Sequence, residues 1–261
     1  MSSSSRPVVL VTGAARRVGR AIALELAAHG FDLALHTHHV GDEATQTLSD
    51  ARVLGAGARV FAADLADEQG CRALLPAVVQ AMGRVDAVVN NASRFEQDDA
   101  ETFCCANLAA HWQINTAAPV LLAQALHAHL LGSQRQGCVV NLLDQKLWNP
   151  NPDHLSYTLS KAALEAATTV LAQALAPTLR VVGVAPGLTL ASGPMDAQEF
   201  ARAQGMTPLG YSASAEDVAR AVRFLIESRA ITGTTLLVDG GQHLSAQPRD
   251  VLYLARQELR R

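Results

Sequence analysis

Short apolar runs rich in Val, Leu and Ala recur along the chain, and between them apolar positions repeat every three to four residues. A continuous apolar run suits a strand buried on both faces, and the 3.6-residue repeat suits a helix lying over it. The pattern predicts strands at Val8–Thr12, Asp32–His36, Ala58–Ala63, Asp86–Val89, Gly137–Leu142, Arg180–Val184 and Thr235–Val238. The first helix carries Val18, Ile22 and Leu26 on one face and stops at Gly30. Others are expected over Asp42–Leu54, Asp67–Met82, Cys104–Leu131, His154–Ala176 and Ala215–Ser228. Ser93–Thr102 and Pro186–Ser214 read as loops, and residues 242–261 as a tail with a short helix around Val251–Leu259. This alternation implies a doubly wound α/β architecture, one parallel seven-stranded sheet with helices on both faces. No repeat or shift of composition divides the sequence. A single domain over 1–261 is expected, with its core at about 7–243 and a tail at 244–261.

Composition narrows the function. Of 261 residues, 49% are hydrophobic and 17% charged, which excludes a disordered or polyelectrolyte chain. A net charge of -3 gives no basis for binding nucleic acid or an anionic membrane surface. No apolar run approaches the roughly 18 residues of a membrane span, and Met1–Arg6 lacks the apolar core of an export signal. Four cysteines (Cys71, Cys104, Cys105, Cys138) without a C-x-x-C pair are expected as buried, reduced thiols in a cytoplasmic protein.

Chemistry concentrates after the strands. The first ends in Thr12-Gly13-Ala14-Ala15-Arg16-Arg17-Val18-Gly19. Glycine at a strand-to-helix turn lets backbone N–H groups approach a pyrophosphate, and the helix N-terminus adds its positive dipole. An ordinary tight turn would look the same. Asp64-Leu65 follows the third strand, Asn90-Asn91-Ala92 the fourth and Pro186-Gly187 the sixth; Asn115 stands before Thr116-Ala117-Ala118-Pro119. Tyr157 and Lys161, four apart on an expected helix, share a face.

Together these motifs resemble the short-chain dehydrogenase/reductase family over about residues 7–243, with its T-G-x-x-x-G-x-G signature and Y-x-x-x-K pair. The resemblance implies a Rossmann fold and nicotinamide chemistry. It places Gly13, Arg16, Arg17, Val18, Gly19, Asp64, Leu65, Asn91, Ala92, Ser93, Lys161, Pro186 and Gly187 against the cofactor. It also makes Tyr157 the proton donor, Lys161 the ammonium that lowers its pKa, and Asn115 the holder of a relay water. Arg17 replaces the middle glycine. NAD-preferring members carry an acid after the second strand, but His36-Thr37-His38-His39 stands there. Arg17 with His36 and Thr37 is therefore expected to hold the 2′-phosphate of NADPH, and His38 is expected among the cofactor-binding residues. No Cys or carboxylate completes a metal site with these histidines, and no metal is expected.

The family's usual serine lies thirteen residues before the tyrosine, and here that position is Asp144. A carboxylate would repel a forming alkoxide, so a substrate offering N–H groups or a ring nitrogen fits better; an altered, inactive site is the other reading. Arg16-Arg17, His36-Thr37-His38, Asn91-Ala92-Ser93-Arg94-Phe95 and Asp144 resemble the pteridine reductase branch. That resemblance implies a pterin stacked on Phe95 and bonded to Ser93, with Asp144 and Tyr157 as its other contacts. The expected function is NADPH-dependent reduction of a pterin ring C=N bond. The alternatives are reduction of a 3-oxoacyl or xenobiotic carbonyl and a non-catalytic dinucleotide sensor. The Ala/Leu-rich helices near 106–131 and 155–176 are apolar almost all round, so a homotetramer is expected through them, with the tail near a neighbour's site.

Overall fold

The computed structural model describes residues 6–191 and 195–259, so the reading of Met1–Arg6 lies, Arg6 apart, outside the described residues. Seven strands form one parallel sheet: β1 (Val8–Val11), β2 (Asp32–Thr37), β3 (Ala58–Ala62), β4 (Ala87–Asn90), β5 (Gly137–Leu142), β6 (Leu179–Pro186) and β7 (Thr235–Val238). Their order is β3-β2-β1-β4-β5-β6-β7. The chain reverses its direction of travel between β1 and β4, and a crevice opens at their carboxyl ends.

Alternate strand residues point to opposite faces. Val9, Val11, Leu33 and Leu35 meet Ile22 and Leu26 of α1 (Arg17–Ala28) and Val218 and Val222 of α8 (Ala215–Glu227). Leu10, Val88, Val139 and Val181 meet Leu74 and Val78 of α3 (Glu68–Met82) and Leu122 and Leu126 of α5 (Ala118–Ser133). Full burial stabilises each such Leu or Val by about 1.5–3 kcal/mol. Beyond these, α2 (Asp42–Val53) packs on α1 and α6 (Leu155–Ala174) on β6.

The expected 104–131 helix is broken. It comprises α4 (Cys105–Trp112), a π-helical turn (Gln113–Ala117) and α5. Pro119 has no N–H to give the Asn115 carbonyl, so the regular ladder fails there, and a wider turn accommodates it. The expected 186–214 loop contains α7 (Ala197–Gly205), started by a capping box between Asp196 and Glu199. The expected tail helix is present as α9 (Val251–Leu259); it packs on α7 through Met195, Ala203, Val251, Leu252 and Ala255. All four thiols are free. Cys71 and Cys138 are buried as expected, whereas Cys104 and Cys105 are exposed at the start of α4, where no sheet covers them. Among the described residues no helix is long and apolar enough to cross a membrane.

Candidate active site

At the crevice, β1 and β4 are laced together by neutral hydrogen bonds. Thr12 Oγ1 donates to the Val89 carbonyl (3.2 Å) and accepts from the N–H groups of Asn91 (2.9 Å) and Ala92 (3.0 Å). Asn91 Nδ2 donates to the carbonyls of Thr12 (2.9 Å) and Gly13 (3.1 Å). Gly13 turns the chain with φ +63°, and a Cβ on Gly19 would stand 2.1 Å from the Gly13 carbonyl oxygen. No side chain caps the N-terminus of α1. Its first N–H groups therefore face a cleft of about 850 Å³ lined by Gly13, Arg16, Arg17, His38, Asp64 and Asn91 among others. Val18, Gly19, Leu65, Ala92 and Ser93 also line it. An uncapped helix start, a turn too tight for side chains and a cleft of this size fit a dinucleotide with its pyrophosphate on α1. A cavity of similar size, about 880 Å³, lies at the other end of the sheet around Arg84, Asp86 and Arg135, away from every residue of this crevice.

Arg17, His36 and Thr37, expected at the 2′-phosphate, line this same cleft together with His38. Arg17 adopts φ +53° at the glycine position it replaces, and both its terminal nitrogens donate to the Ala191 carbonyl (3.0 Å) in the segment after β6. His36 is buried. Its Nδ1 accepts the Gly13 N–H (3.2 Å), its Nε2 pairs with the Ala63 carbonyl (3.1 Å), and burial lowers its pKa. A neutral ring held in one tautomer braces the turn rather than reaching for an anion. Thr37 Oγ1 donates to the His39 carbonyl (2.9 Å). His36 and Thr37 thus bond to backbone with these atoms, and Arg17 reaches the segment after β6. Beside them along the cleft, Arg16 stands 3.8 Å from Glu43 and exposed His38 3.7 Å from Asp64. Pro186 ends β6 and Gly187 follows it, its N–H bonded to the Val238 carbonyl (3.0 Å).

Across the crevice lies an ionisable cluster. Tyr157, buried on α6, donates to Asp144 Oδ2 (2.8 Å) after β5. Lys161, one turn on, is buried; its Nζ donates to the Leu142 carbonyl (2.7 Å) and lies 5.8 Å from the Tyr157 ring centre. Burial pushes the Lys161 pKa down to about 8, against the pull of Asp144. Burial, then the Asp144 charge, raises the Tyr157 pKa well above that of free tyrosine. Burial likewise raises the Asp144 pKa, against the Lys146 N–H and the Tyr157 hydroxyl. Tyr157 is bonded to Asp144, while Lys161 holds the Leu142 carbonyl beside the phenol ring. The two acids share a hydrogen bond and titrate as a pair.

Asn115, in the π-helical turn, fixes the loop beside them. Its Oδ1 accepts from the Arg94 N–H (2.8 Å) and Ser93 Oγ (3.2 Å), and its Nδ2 donates to the Arg94 carbonyl and Ser160 Oγ (both 2.9 Å). Phe95, 44% exposed, lies edge-on to Tyr157 (4.7 Å) and stacks on His154 (4.2 Å). The structure thus assembles Ser93, Phe95, Asn115, Asp144, Tyr157 and Lys161 in one place. Sequence reasoning missed Lys146, Asp153, Arg249 and Asp250, which join the tail to this cluster. The signal available was a second charge two residues after Asp144.

A conserved-family description fits this arrangement. The model of the family described as enoyl-(acyl carrier protein) reductase matches residues 13–243. The chain belongs to the short-chain dehydrogenase/reductase family. It is an oxidoreductase of that family. Pteridine reductase 1 of Leishmania tarentolae is 32% identical, over 94% of this chain and 99% of its own length. A 3-oxoacyl-[acyl-carrier-protein] reductase FabG of Staphylococcus aureus is 29% identical, over 90% and 97%. Among solved structures, FolM alternative dihydrofolate reductase 1 of Brucella suis in complex with NADP is 39% identical, covers 94% of this chain and 98% of its own, and superposes with a TM-score of 0.88.

Proposed function

We propose that this short-chain reductase uses NADPH to reduce a ring C=N bond of a pterin, a dihydropteridine, dihydromonapterin, biopterin or folate-like substrate. The observation that carries this is the 2.8 Å bond from Tyr157 to Asp144, with Phe95 against the same phenol. The solved NADP complex and the pteridine reductase relative support it. Arg16 and His38 would hold the 2′-phosphate, Arg17 the pyrophosphate side near Ala191, and Gly13, Asn91 and the start of α1 the pyrophosphate itself.

NADPH, when bound, supplies the hydride. The protein's part is the proton. A ring nitrogen seated beside Tyr157 Oη receives the phenol proton as the adjacent ring carbon takes the hydride. Asp144 accepts the Tyr157 hydroxyl in the free protein, and a proton taken up from solvent by this hydrogen-bonded pair restores the phenol after the transfer. Lys161 stabilises the transient phenolate, and Asn115, whose carbonyl Pro119 cannot partner, orders the path to solvent. Phe95 offers a face for an offset-stacked heteroaromatic ring. Ser93 lies within reach of the same ring.

A 3-oxoacyl substrate is the second reading, favoured by the matching family description and the FabG relative. Consumption of NADPH with dihydropterin and with an acetoacetyl thioester separates the two. A kcat/KM greater for the thioester would overturn the pterin reading. We further infer one domain and a cytoplasmic homotetramer. Exposed Trp112, Leu131, Leu159 and Val170 on α4, α5 and α6 offer apolar contact area for partners, and a concentration-independent monomer in light scattering would sink that assembly.

A further inference from the structure

We propose that Lys146 is a positioning residue that latches the segment Arg249–Tyr253 onto the loop carrying Asp144, and that this segment forms the outer wall of the substrate site. The second half rests on the function proposed above; the latch does not.

Lys146 sits in a short 3₁₀ turn (Gln145–Leu147) and is 3% exposed. Its N–H donates to Asp144 Oδ1 (2.9 Å). Its Nζ donates to the Asp153 carbonyl and lies 3.9 Å from Asp250 Oδ2. Asp153, 2% exposed, accepts from Arg249 Nε and Nη2 (2.6–2.9 Å) and from the Asp250 N–H (2.7 Å). Both partners of this buried ammonium, the Asp153 carbonyl and the Asp250 carboxylate, belong to the contact between loop and tail, so displacing the tail strips Lys146 of its counter-charge.

A second line of contact reaches the other side of Tyr157. The Tyr253 ring stacks at 6.5 Å on His154, which stacks at 4.2 Å on Phe95. Tyr253 Oη also donates to Gln97 Oε1 (2.7 Å). The segment therefore grips both the loop of Asp144 and the loop of Phe95, the two groups assigned to the substrate.

The test compares the full-length wild type with Lys146→Met, Lys146→Arg and Asp250→Asn. Asp250 Oδ1 also accepts the Leu252 N–H (3.1 Å) at the start of α9; asparagine keeps that cap while losing the charge. Amide exchange over residues 251–255 should quicken about tenfold in Lys146→Met and Asp250→Asn, and less in Lys146→Arg. The KM for dihydropterin should rise about tenfold with kcat and NADPH affinity little changed. Unchanged exchange in Asp250→Asn overturns the latch, even if Lys146→Met fails to fold. Faster exchange with an unchanged KM overturns the wall. If the wild type reduces acetoacetyl thioester and not dihydropterin, the pterin reading falls, and the same KM comparison is made with the thioester.

Discussion

The two halves of the crevice are built from opposite materials. On the β1/β4 side the hydrogen bonds are neutral and local: Thr12, Asn91 and His36 tie backbone to backbone around Gly13. On the β5/α6 side, Asp144, Lys146, Asp153, Tyr157 and Lys161 are ionisable groups held half-buried or buried. Neutral bracing gives a cradle that holds its shape while the His36 ring is neutral, the form that burial favours. Buried ionisable groups give protons whose ownership depends on every neighbouring charge. Binding is thus assigned to one half and chemistry to the other, and substitutions should affect the two differently.

Tyr157→Phe tests the chemical half most severely. It removes the proton donor and leaves Asp144 with one bond fewer, while the cradle is untouched. Turnover should fall by about 10²- to 10⁴-fold, with NADPH affinity within about twofold in a fluorescence titration. A variant retaining a third of wild-type kcat would take the proton transfer away from Tyr157.

Asp144→Ser is next. Pterin turnover should fall about 100-fold, whereas a model ketone should be spared, because no carboxylate then faces the forming alkoxide. The pH profile carries a sign. Tyr157 must hold its proton to react, and Asp144 contributes to raising its pKa. Without Asp144 that pKa falls, so the alkaline decline of kcat/KM should begin at lower pH than in the wild type. A decline moved to higher pH would contradict the pairing.

The same contrast explains what the sequence disclosed. The sheet was legible because buried parallel strands read as unbroken apolar runs, and each of the seven expected strands is present within two residues at either end. Tyr157 and Lys161 were legible because helical spacing puts them on one face, and Asp144 because the family resemblance implies a site residue thirteen positions before the tyrosine. What Arg17 bonds to was not legible: its guanidinium reaches the Ala191 carbonyl, 174 residues along the chain. The tail contacts were also hidden. Arg249 meets Asp153 across a separation of 96 residues, and no periodicity encodes such a pairing. The tail was expected near a neighbour's site, and in the described residues it docks on its own chain's loop.

On the binding half, Arg16→Ala should lose a charge-assisted phosphate contact, about 1.5–3 kcal/mol or roughly 10- to 150-fold in NADPH affinity. NADH affinity should barely move, because that cofactor has no 2′-phosphate. Isothermal titration with both cofactors gives the answer; equal losses for the two would remove Arg16 from the phosphate pocket and return the assignment to Arg17.

The smallest effect concerns Arg17 and is one of stability. Its φ of +53° is a conformation that costs an L-residue about 1–2 kcal/mol. Arg17→Gly relieves that strain, the conformation being natural to glycine. Against the gain stand the greater freedom of glycine in the unfolded chain, about 0.5–1 kcal/mol, and the loss of an exposed bond to the Ala191 carbonyl. The terms nearly cancel, so denaturant unfolding should show stability unchanged or raised by up to about 1 kcal/mol. Affinity for NADPH and NADH should fall together, because Arg17 lies on the pyrophosphate side that both cofactors share. Equal weakening in Arg17→Gly beside selective weakening in Arg16→Ala would assign adjacent residues to different phosphates. A loss of stability above about 1 kcal/mol in Arg17→Gly would mean that its contact with the segment after β6 outweighs the strain, and that Arg17 stays in place of glycine to hold that segment rather than to meet an anion.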